Sequence, residues 1–335
     1  MRSIKIYMKE KLIAMNSEKD ELLKAIGNSG YIAVVSHINP DGDNLGSVLG
    51  LGMSLVQLGK KVDFIKPDII PDDYNFLPGV ERLSGYGELR DKLDLLIVLD
   101  CSDPTRLGEN QKLIDVAKIV VNVDHHVSNT MFGDILLVDP KASSTGELVF
   151  DIIEDLNLPI DEEIATCLYT AITTDTGRFS YQSVTASTHR IAASLYELGI
   201  NGYEINKRLY QTRSLKRTRL FSRAMAEMEL MFEGKGAVVK ISRRMLEETG
   251  ASMEDTEGIV EFLRDTESVE AACILKEMDE NLIKASIRTK DPIDANKICG
   301  AFGGGGHIRA SGCTISATLD EAAALISDEI KRHIE

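Results

Sequence analysis

The stretch YIAVVSHINPDGDNLGS, residues 31–47, is the part of the chain that most constrains the fold. Tyr31–Val35 is a short apolar run rich in β-branched residues, which is typical of a buried strand in a parallel sheet. Three polar side chains follow it within one loop: His37, Asp41 and Asp43. Gly42 separates the two aspartates, and we expect it to supply backbone angles that other residues resist. Taken alone, the pattern predicts either a cation site or an ordinary Asp/Gly turn with an incidental histidine.

Composition limits the class of protein. The 335 residues are 43% hydrophobic and 27% charged, which is ordinary for a soluble chain long enough for two domains. No run approaches the roughly 18 apolar residues that span a bilayer, and charges interrupt the N-terminal segment where a signal peptide needs an apolar core. We therefore expect a cytoplasmic protein without membrane contact. The five cysteines are scattered singly, which predicts reduced thiols and argues against a thiolate zinc site.

The net charge of −15 argues against broad attraction to duplex nucleic acid, whose non-specific binding depends on neutralising phosphates. A phosphate-bearing ligand must therefore meet a local site.

Apolar runs alternate with helical patterns through the first two thirds of the chain. Further strands are predicted at Lys61–Ile65, Leu95–Leu99 and Ile119–Val123. Helices are predicted at Ser17–Ile26, Leu45–Leu58, Thr145–Leu156, Asp161–Thr173, Thr185–Leu198 and Tyr203–Gln211. This alternation predicts an α/β fold with a doubly wound, mainly parallel sheet, in which ligands bind beyond the carboxyl ends of the strands.

Polar residues end the later strands as they end the first. Asp100 follows the third strand, and Asp124, His125 and His126 follow the fourth. Asp175 is predicted just past the helix that starts at Asp161. The sequence therefore brings several candidate ligands to one edge of the sheet.

The last third of the chain has a different pattern. Strands at Ala237–Ile241, Ala271–Glu277 and Leu282–Ile287, with a final helix at Leu319–His333, predict a smaller α/β domain. A basic helical segment precedes it, reaching about Met231, and either solvation or an RNA contact would explain its charges. We divide the chain into residues 1–207, a helical linker 208–231, and residues 232–335.

The second domain contains the unusual stretch FGGGGHIRASG, residues 302–312. Consecutive glycines allow backbone N–H groups to approach a phosphate closely, and His307 and Arg309 add donors and charge. A flexible loop and an anion site are equally good interpretations of this stretch.

Histidine and carboxylate ligands suit manganese, magnesium or zinc. Two histidines and four aspartates can hold two ions if one carboxylate bridges them, and paired ions about 3.5–4 Å apart serve the hydrolysis of phosphoesters. The six candidate ligands are His37, Asp41, Asp43, Asp100, His125 and Asp175. Since His125 and His126 are adjacent and point differently, we expect only one of them to bind a metal.

These motifs, in this order, resemble the DHH/DHHA1 family of phosphoesterases, and within it the group of nanoRNases and 3′-phosphoadenosine 5′-phosphate (pAp) phosphatases. The resemblance rests on Ser36-His37 to Ser47, on Asp100, on Asp124-His125-His126, on Asp175 in TTDTGRF, and on GGGGHIRASG. It covers the chain from about residue 25 to its end. The one departure noted is Asn44, where a small residue such as alanine is expected more often.

The resemblance implies specific roles. One metal would be held by His37, Asp41 and Asp100, and the other by Asp43, Asp100, His125 and Asp175, with Asp100 bridging. Two manganese ions are expected, with magnesium or cobalt as alternatives. Asp124 would orient a ligand histidine, and His126 would face the scissile phosphate and protonate the leaving oxygen.

The same resemblance implies that five residues of the second domain bind the substrate's terminal phosphate or nucleotide: Gly304, Gly305, His307, Arg309 and Ser311. Catalysis would then occur between the domains. Arg106, Asn129 and Arg178 follow three of the motifs and are weaker candidates.

The implied activity is a hydrolase that cleaves very short oligoribonucleotides or linear dinucleotides to mononucleotides, as a 3′–5′ oligoribonuclease, or removes the 3′-phosphate of pAp, as a bisphosphate nucleotidase. A homodimer is expected, without binding of long duplexes. The alternatives are a cyclic-dinucleotide phosphodiesterase, a RecJ-like single-strand exonuclease, a pyrophosphatase of the same superfamily, and a non-enzymatic binding protein.

Overall fold

The computed structural model describes residues 17–85 and 93–334. The chain divides into two compact units, with the division between Gln211 and Thr212. The N-terminal segment whose charges argue against a signal peptide lies mostly outside the described residues. In the described part of the chain, no helix combines the length and apolar character that crossing a membrane requires.

The first unit is built on a parallel sheet. Its strands are β1 (Tyr31–Ser36), β2 (Lys61–Ile65), β3 (Leu83–Ser84), β4 (Leu93–Leu99), β5 (Ala117–Asp124) and β6 (Ile135–Val138). Its helices are α1 (17–28), α2 (Gly42–Gln57), α3 (Leu113–Val116), α4 (Thr145–Asp155), α5 (Glu162–Asp175), α6 (Ala186–Glu197) and α7 (Gly202–Asn206). Short 3-10 segments lie at Asp72–Tyr74, Val80–Arg82 and Pro104–Lys112, and a π turn at Lys207–Gln211 follows α7.

The strand order confirms the doubly wound prediction. The sheet runs β3-β2-β1-β4-β5-β6 with every pairing parallel. The order reverses between β1 and β4, and in such sheets the crevice beyond the carboxyl ends at this reversal is where ligands bind. Alternate residues of β1 enter two different cores: Ile32 and Val34 pack with α2, whereas Ala33 and Val35 pack on the opposite face.

Helices α2 and α5 approach each other closely, because α2 carries glycines where they meet. A Cβ atom on Gly42 would lie 2.4 Å from Thr174 Oγ1, and one on Gly46 would lie 2.3 Å from the carbonyl oxygen of Cys167. The expectation that Gly42 supplies unusual backbone angles is wrong, since it is the first residue of a regular helix and has no positive φ. It is required for helix packing.

The second unit holds a mixed sheet. Its strands are β7 (Glu229–Met231), β8 (Gly236–Ile241), β9 (Ala271–Asp279), β10 (Leu282–Thr289), β11 (Gly305–His307) and β12 (Ala310–Ile315). Its helices are α8 (Leu215–Ala226), α9 (Arg243–Thr249), α10 (Ile259–Arg264), α11 (Ala295–Gly300) and α12 (Leu319–Ile334), with 3-10 segments at Phe232–Gly234 and Glu254–Thr256. The order is β11-β12-β10-β9-β8-β7, with β8 and β9 parallel and the remaining pairs antiparallel. This confirms the predicted second α/β domain.

The basic helix is shorter than predicted. It ends at Ala226, and residues 229–231 form strand β7, so the prediction of a helix to Met231 is wrong. Leu220 and Ala224 are buried in the core of the second unit, which makes α8 part of that unit. Two of its basic side chains form ion pairs there, Lys216 with Asp255 at 3.1 Å and Arg223 with Glu248 at 2.5 Å. Ion pairs of this kind favour the interpretation of a solvated helix over that of an RNA contact.

Candidate metal centre

The junction of β1 and α2 contributes the first three candidate ligands. His37 directly follows β1 and is buried. Helix α2 begins at Gly42, three residues before its predicted start, so that Asp41 is its N-cap and Asp43 lies in its first turn. The Asp41 carboxylate accepts a hydrogen bond from the backbone N–H of Asn44 at 3.0 Å, which fixes the start of the helix.

The other candidate ligands come from β4, β5 and α5. Asp100 follows β4 with a positive φ of 54°, a conformation that is uncommon outside glycine and concentrates at functional sites. His125 and His126 follow Asp124, the last residue of β5. Asp175 is the last residue of α5, whereas the sequence predicted it just beyond the helix.

These side chains converge around Asp100. One of its oxygens, Oδ2, lies 3.3 Å from His37 Nε2, and the other, Oδ1, lies 3.8 Å from His125 Nε2. His37 Nε2 is also 3.9 Å from Asp41 Oδ2. His125 Nε2 is 3.8 Å from Asp43 Oδ2 and 3.2 Å from Asp175 Oδ2.

The structure thus brings all six predicted ligands together. In the described part of the chain, three groups have donor atoms within 4.8 Å of one another: His37/Asp41/Asp100, Asp43/His125/Asp175 and Asp100/His125/His126. The first two match the two predicted ligand sets, and Asp100 lies between them. The third leaves His126 near enough to be an alternative ligand.

The histidine tautomers suit a metal. His37 Nδ1 lies 2.7 Å from the carbonyl oxygen of Ile38, and His125 Nδ1 lies 3.3 Å from that of Ala142. Because a carbonyl oxygen can only accept, each Nδ1 donates a hydrogen to its carbonyl, which leaves Nε2, the ring nitrogen that faces the carboxylates, as the atom that would bind a cation. Hydrogen bonds of this type commonly fix the orientation of metal-binding histidines.

The carboxylates of the cluster repel one another, and the neighbouring histidines offset this repulsion only in part. Burial raises the pKa of Asp43 well above its usual range, and the charges of Asp100 and Asp175 raise it further. Burial and the nearby Asp100 also raise the pKa of Asp175 to about 6, against the lowering effect of His125. Burial would likewise raise the pKa of Asp100, but the hydrogen bond with His37 and the charges of the histidines lower it to about 2. Divalent cations fit such a donor set.

Helix α4 supports two of the carboxylates, a feature that the sequence did not reveal. The backbone N–H groups of Thr145 and Gly146 donate to Asp43 at 2.7 and 2.8 Å. The Thr145 hydroxyl donates to Asp100 Oδ1 at 3.0 Å. A helix N-terminus favours negative charge, so this arrangement holds both carboxylates in place. Ser144 is the N-cap of this helix, but a local cap carries no indication of partners 45 and about a hundred residues away.

The Asp124 side chain contacts both histidines that follow it: its Oδ1 accepts from the backbone N–H of His125 at 2.8 Å and lies beside the ring of His126. Its Oδ1 lies 2.7 Å from His126 Nδ1, and its Oδ2 accepts from Asn129 Nδ2 at 2.6 Å. Burial alone would lower the pKa of His126, but the hydrogen bond with Asp124 and the charge of Asp100 raise it to about 9. The contact with Asp124 fixes the orientation of the His126 ring, and Asn129 holds the carboxylate that makes this contact.

The two arginines considered as substrate contacts differ in position. Arg106 lies beside the cluster, since its carbonyl oxygen accepts from the N–H of Ile38 at 2.8 Å. Burial lowers the pKa of His37 but the hydrogen bond with Asp100 raises it overall, and the charge of Arg106 opposes that rise in small part. Arg178 stacks on Tyr210, with its guanidinium carbon 4.8 Å from the ring centre. Arg106 is therefore the better placed of the two for a phosphate at the metal cluster.

The glycine stretch lies in the second unit and forms a hairpin. Gly305–His307 is strand β11, paired with β12, which excludes a featureless loop. A Cβ on Gly304 would lie 2.3 Å from the carbonyl oxygen of Gly312, so this glycine is required for packing, whereas one on Gly305 would meet nothing closer than 3.6 Å.

Two of the predicted phosphate ligands are engaged in hydrogen bonds within the second unit. The Arg309 guanidinium donates to the carbonyl oxygens of Lys290 and Ile293 and pairs with Asp291. Ser311 is buried and donates to the carbonyl oxygen of His307 at 2.9 Å. Gly305 and His307 lie on exposed backbone.

The first unit has a cluster of carboxylates and imidazoles at the point where the strand order of its parallel sheet reverses, and a second α/β unit follows it. This combination is typical of a class of proteins that bind divalent metal ions. The sequence matches the model of the N-terminal domain of the DHH family over residues 31–172 and that of the DHHA1 domain over residues 233–334. The chain belongs to the DHH family of phosphoesterases.

Three relatives illustrate the similarity. The chain is 33% identical to the bifunctional oligoribonuclease and PAP phosphatase NrnA of Thermus thermophilus, over 94% of this chain and 93% of that protein. It is 27% identical to the protein of the same name from Bacillus subtilis, over 92% and 97%. Its structure is similar to that of an exopolyphosphatase-related protein from Bacteroides fragilis, with a TM-score of 0.89 and 29% identity over 95% and 96% of the two chains.

Proposed function

We propose that this protein is a metal-dependent phosphoesterase that hydrolyses very short oligoribonucleotides, including linear dinucleotides, and pAp to mononucleotides. The observation that carries the proposal is the position of Asp100, whose two oxygens face two separate His/Asp groups at the reversal point of the sheet. The names of the two NrnA relatives support the substrate class, since the similarity to them covers nearly the whole chain.

The residues have distinct roles in this proposal. His37, Asp41 and Asp100 would hold one cation, and Asp43, Asp100, His125 and Asp175 would hold the other. Bound there, the cations would supply activation of a water and neutralisation of the charge that develops on the phosphoryl oxygens. His126, oriented by Asp124, gives a proton to the leaving oxygen, and Arg106 binds a non-bridging oxygen of the same phosphate.

In the second unit, the hairpin binds the part of the substrate that is not cleaved. The exposed backbone of Gly305 and the side chain of His307 contact a terminal phosphate or nucleotide. Gly304 and Ser311 shape the hairpin through packing and a hydrogen bond within it, and Arg309 joins the hairpin to the segment 290–293. The first unit, up to Gln211, would thus supply the chemistry and the second unit, from Thr212 onward and including α8, the substrate recognition.

Manganese is the cation that we propose, with magnesium and cobalt as alternatives. The cytoplasmic location, the homodimer and the exclusion of long duplexes stay predictions. The charge of −15 supports the last of these, because a duplex-binding protein needs surplus positive charge.

A substrate panel tests the proposal. Purified protein with Mn²⁺ is assayed against labelled di- to pentanucleotides, a 24-mer, pAp, cyclic di-AMP and pyrophosphate. We expect turnover of the dinucleotides to pentanucleotides and of pAp, and loss of that turnover in His37→Ala. Preference for cyclic di-AMP would assign the cyclic-dinucleotide alternative, and efficient cleavage of the 24-mer would assign the exonuclease alternative.

A further inference from the structure

Asn44 lies between two of the candidate metal ligands and is fully buried. Its side-chain Nδ2 donates to the carbonyl oxygen of His37 at 2.8 Å, and its backbone N–H donates to Asp41 Oδ1 at 3.0 Å. A single residue in the first turn of α2 therefore contacts both residues that, with Asp100, form the first cation group.

The peptide between His37 and Ile38 is fixed from both sides. Asn44 binds its oxygen, and the carbonyl oxygen of Arg106 accepts from its N–H at 2.8 Å. The next carbonyl oxygen, that of Ile38, is the group that holds His37 Nδ1. Asn44 thus secures the turn that aims His37 Nε2 at Asp100.

The other end of the Asn44 side chain is unsatisfied. The amide cannot be reversed, because Asn44 Oδ1 and the carbonyl oxygen of His37 would then be two acceptors facing each other. Asn44 Oδ1 therefore points away from His37, where it is buried and has no hydrogen-bond partner. In the described part of the chain, only two other side-chain atoms share this condition, and one of them is the hydroxyl of Ser36, directly before His37. Buried polar atoms without partners destabilise a fold, so a buried asparagine here needs a functional reason.

We propose that Asn44 is a positioning residue for the first cation site: it holds the backbone of His37 so that the imidazole meets the metal in a fixed orientation. This inference rests on the proposed function. A side chain of this kind, which supports a ligand without touching the metal, typically changes metal affinity 10–100-fold when it is removed. The second site takes Asp43 from the same helix, but the N–H groups of Thr145 and Gly146 hold that carboxylate, and Asn44 forms no side-chain hydrogen bond with it.

Manganese titration of the purified full chain, by calorimetry after removal of metal with a chelator, tests the inference. We expect Asn44→Ala and the similarly sized Asn44→Leu to weaken one of two Mn²⁺ sites about 10–100-fold and to leave the other unchanged. Ser54→Ala is the matched control, since Ser54 lies on the same helix, is fully buried and donates to a backbone carbonyl oxygen, that of Gly50. It should leave both sites unchanged.

A double-mutant cycle separates positioning from a general structural role. If Asn44 acts through His37, Asn44→Ala should add no further loss of metal affinity to His37→Ala. Additive losses, or a fall in affinity at both sites together with a lower Tm of the metal-free protein, would overturn the inference. If both Asn44 variants bind Mn²⁺ at both sites with unchanged affinity, the inference about Asn44 is overturned and the proposed function is not. If the unsubstituted chain binds no Mn²⁺, the proposed function is overturned as well.

Discussion

Gly305→Val tests whether the glycine hairpin recognises substrate or only supports the fold. The position tolerates a side chain: an added Cβ would meet Asn296 Oδ1 at 3.6 Å and nothing closer, and φ is not in the left-handed region. Gly305 is exposed in a strand, where a β-branched residue is favourable. We therefore expect the Tm of Gly305→Val to lie within a few degrees of that of the wild type.

The expected effect on catalysis is much larger. A valine side chain would keep a phosphate away from the backbone of β11, which would remove one or two charge-assisted hydrogen bonds of roughly 1.5–3 kcal/mol each. Because contacts with a remote group orient the scissile bond, the loss should appear in kcat/KM, at about 10²-fold or more.

The assay compares two classes of substrate. Values of kcat/KM are measured for a dinucleotide and pAp, and for bis-p-nitrophenyl phosphate, which has no second phosphate to hold. Only the nucleotide substrates should lose activity. Equal losses on all three would refute the reasoning, since they would mean that the hairpin supports the metal cluster or the fold. Gly304→Val is the contrasting variant, because its Cβ would lie 2.3 Å from a carbonyl oxygen and should destabilise the second unit.

Four further outcomes are expected. Asp100→Ala should lose metal from both sites, as measured by metal analysis, and retained hydrolysis would contradict the bridging assignment. His126→Ala should keep both metals and lower kcat by about 10²–10⁴-fold; lost metal with kcat restored at saturating Mn²⁺ would make His126 a ligand. Gly42→Ala should cost roughly 1–3 kcal/mol of unfolding free energy through the contact with Thr174, and an unchanged denaturant midpoint would contradict this. Mn²⁺ at 100 times its Kd should stabilise the protein by about 2.7 kcal/mol per site, and a Tm unaffected by chelator would contradict metal binding in the native state.

The sheet and the six candidate ligands could be predicted because the relevant signals are local. An aliphatic run that ends in Asp or His indicates both a strand and a candidate ligand. Because parallel strands bring their carboxyl ends to the same edge of the sheet, the clustering of these ligands can be predicted without knowing any side-chain contact. Asp100, after β4, needed only this argument. The extra residues of α2 were missed because Asp41-Gly42-Asp43 has the composition of a turn, while in the structure Asp41 is the cap and Asp43 belongs to the helix.

The supporting contacts could not be predicted, because their partners are distant in sequence. Nothing near Thr145 indicates that it reaches Asp43 and Asp100. Arg309 looked available for a phosphate because it closely follows the glycine run, but tertiary structure places the carbonyl oxygens of Lys290 and Ile293 within its reach. Periodicity overestimated α8, since the residues after Ala226 pair with β8 as a strand.

The contacts around Asp43 explain why such supports are needed. Two N–H groups at the start of α4 stabilise its charged form, and still burial and the neighbouring carboxylates raise its pKa well above the usual range. The fold therefore holds Asp43 in a position where its charge is unfavourable until a cation arrives. Carboxylates left to relax would turn toward solvent, so α4, Asn44 and the close α2–α5 packing at Gly42 serve the same end. These contacts keep the ligands together before the cations supply the positive charge that favours their proximity. Cation binding is then stronger, because the ligands need not be ordered when the cations bind.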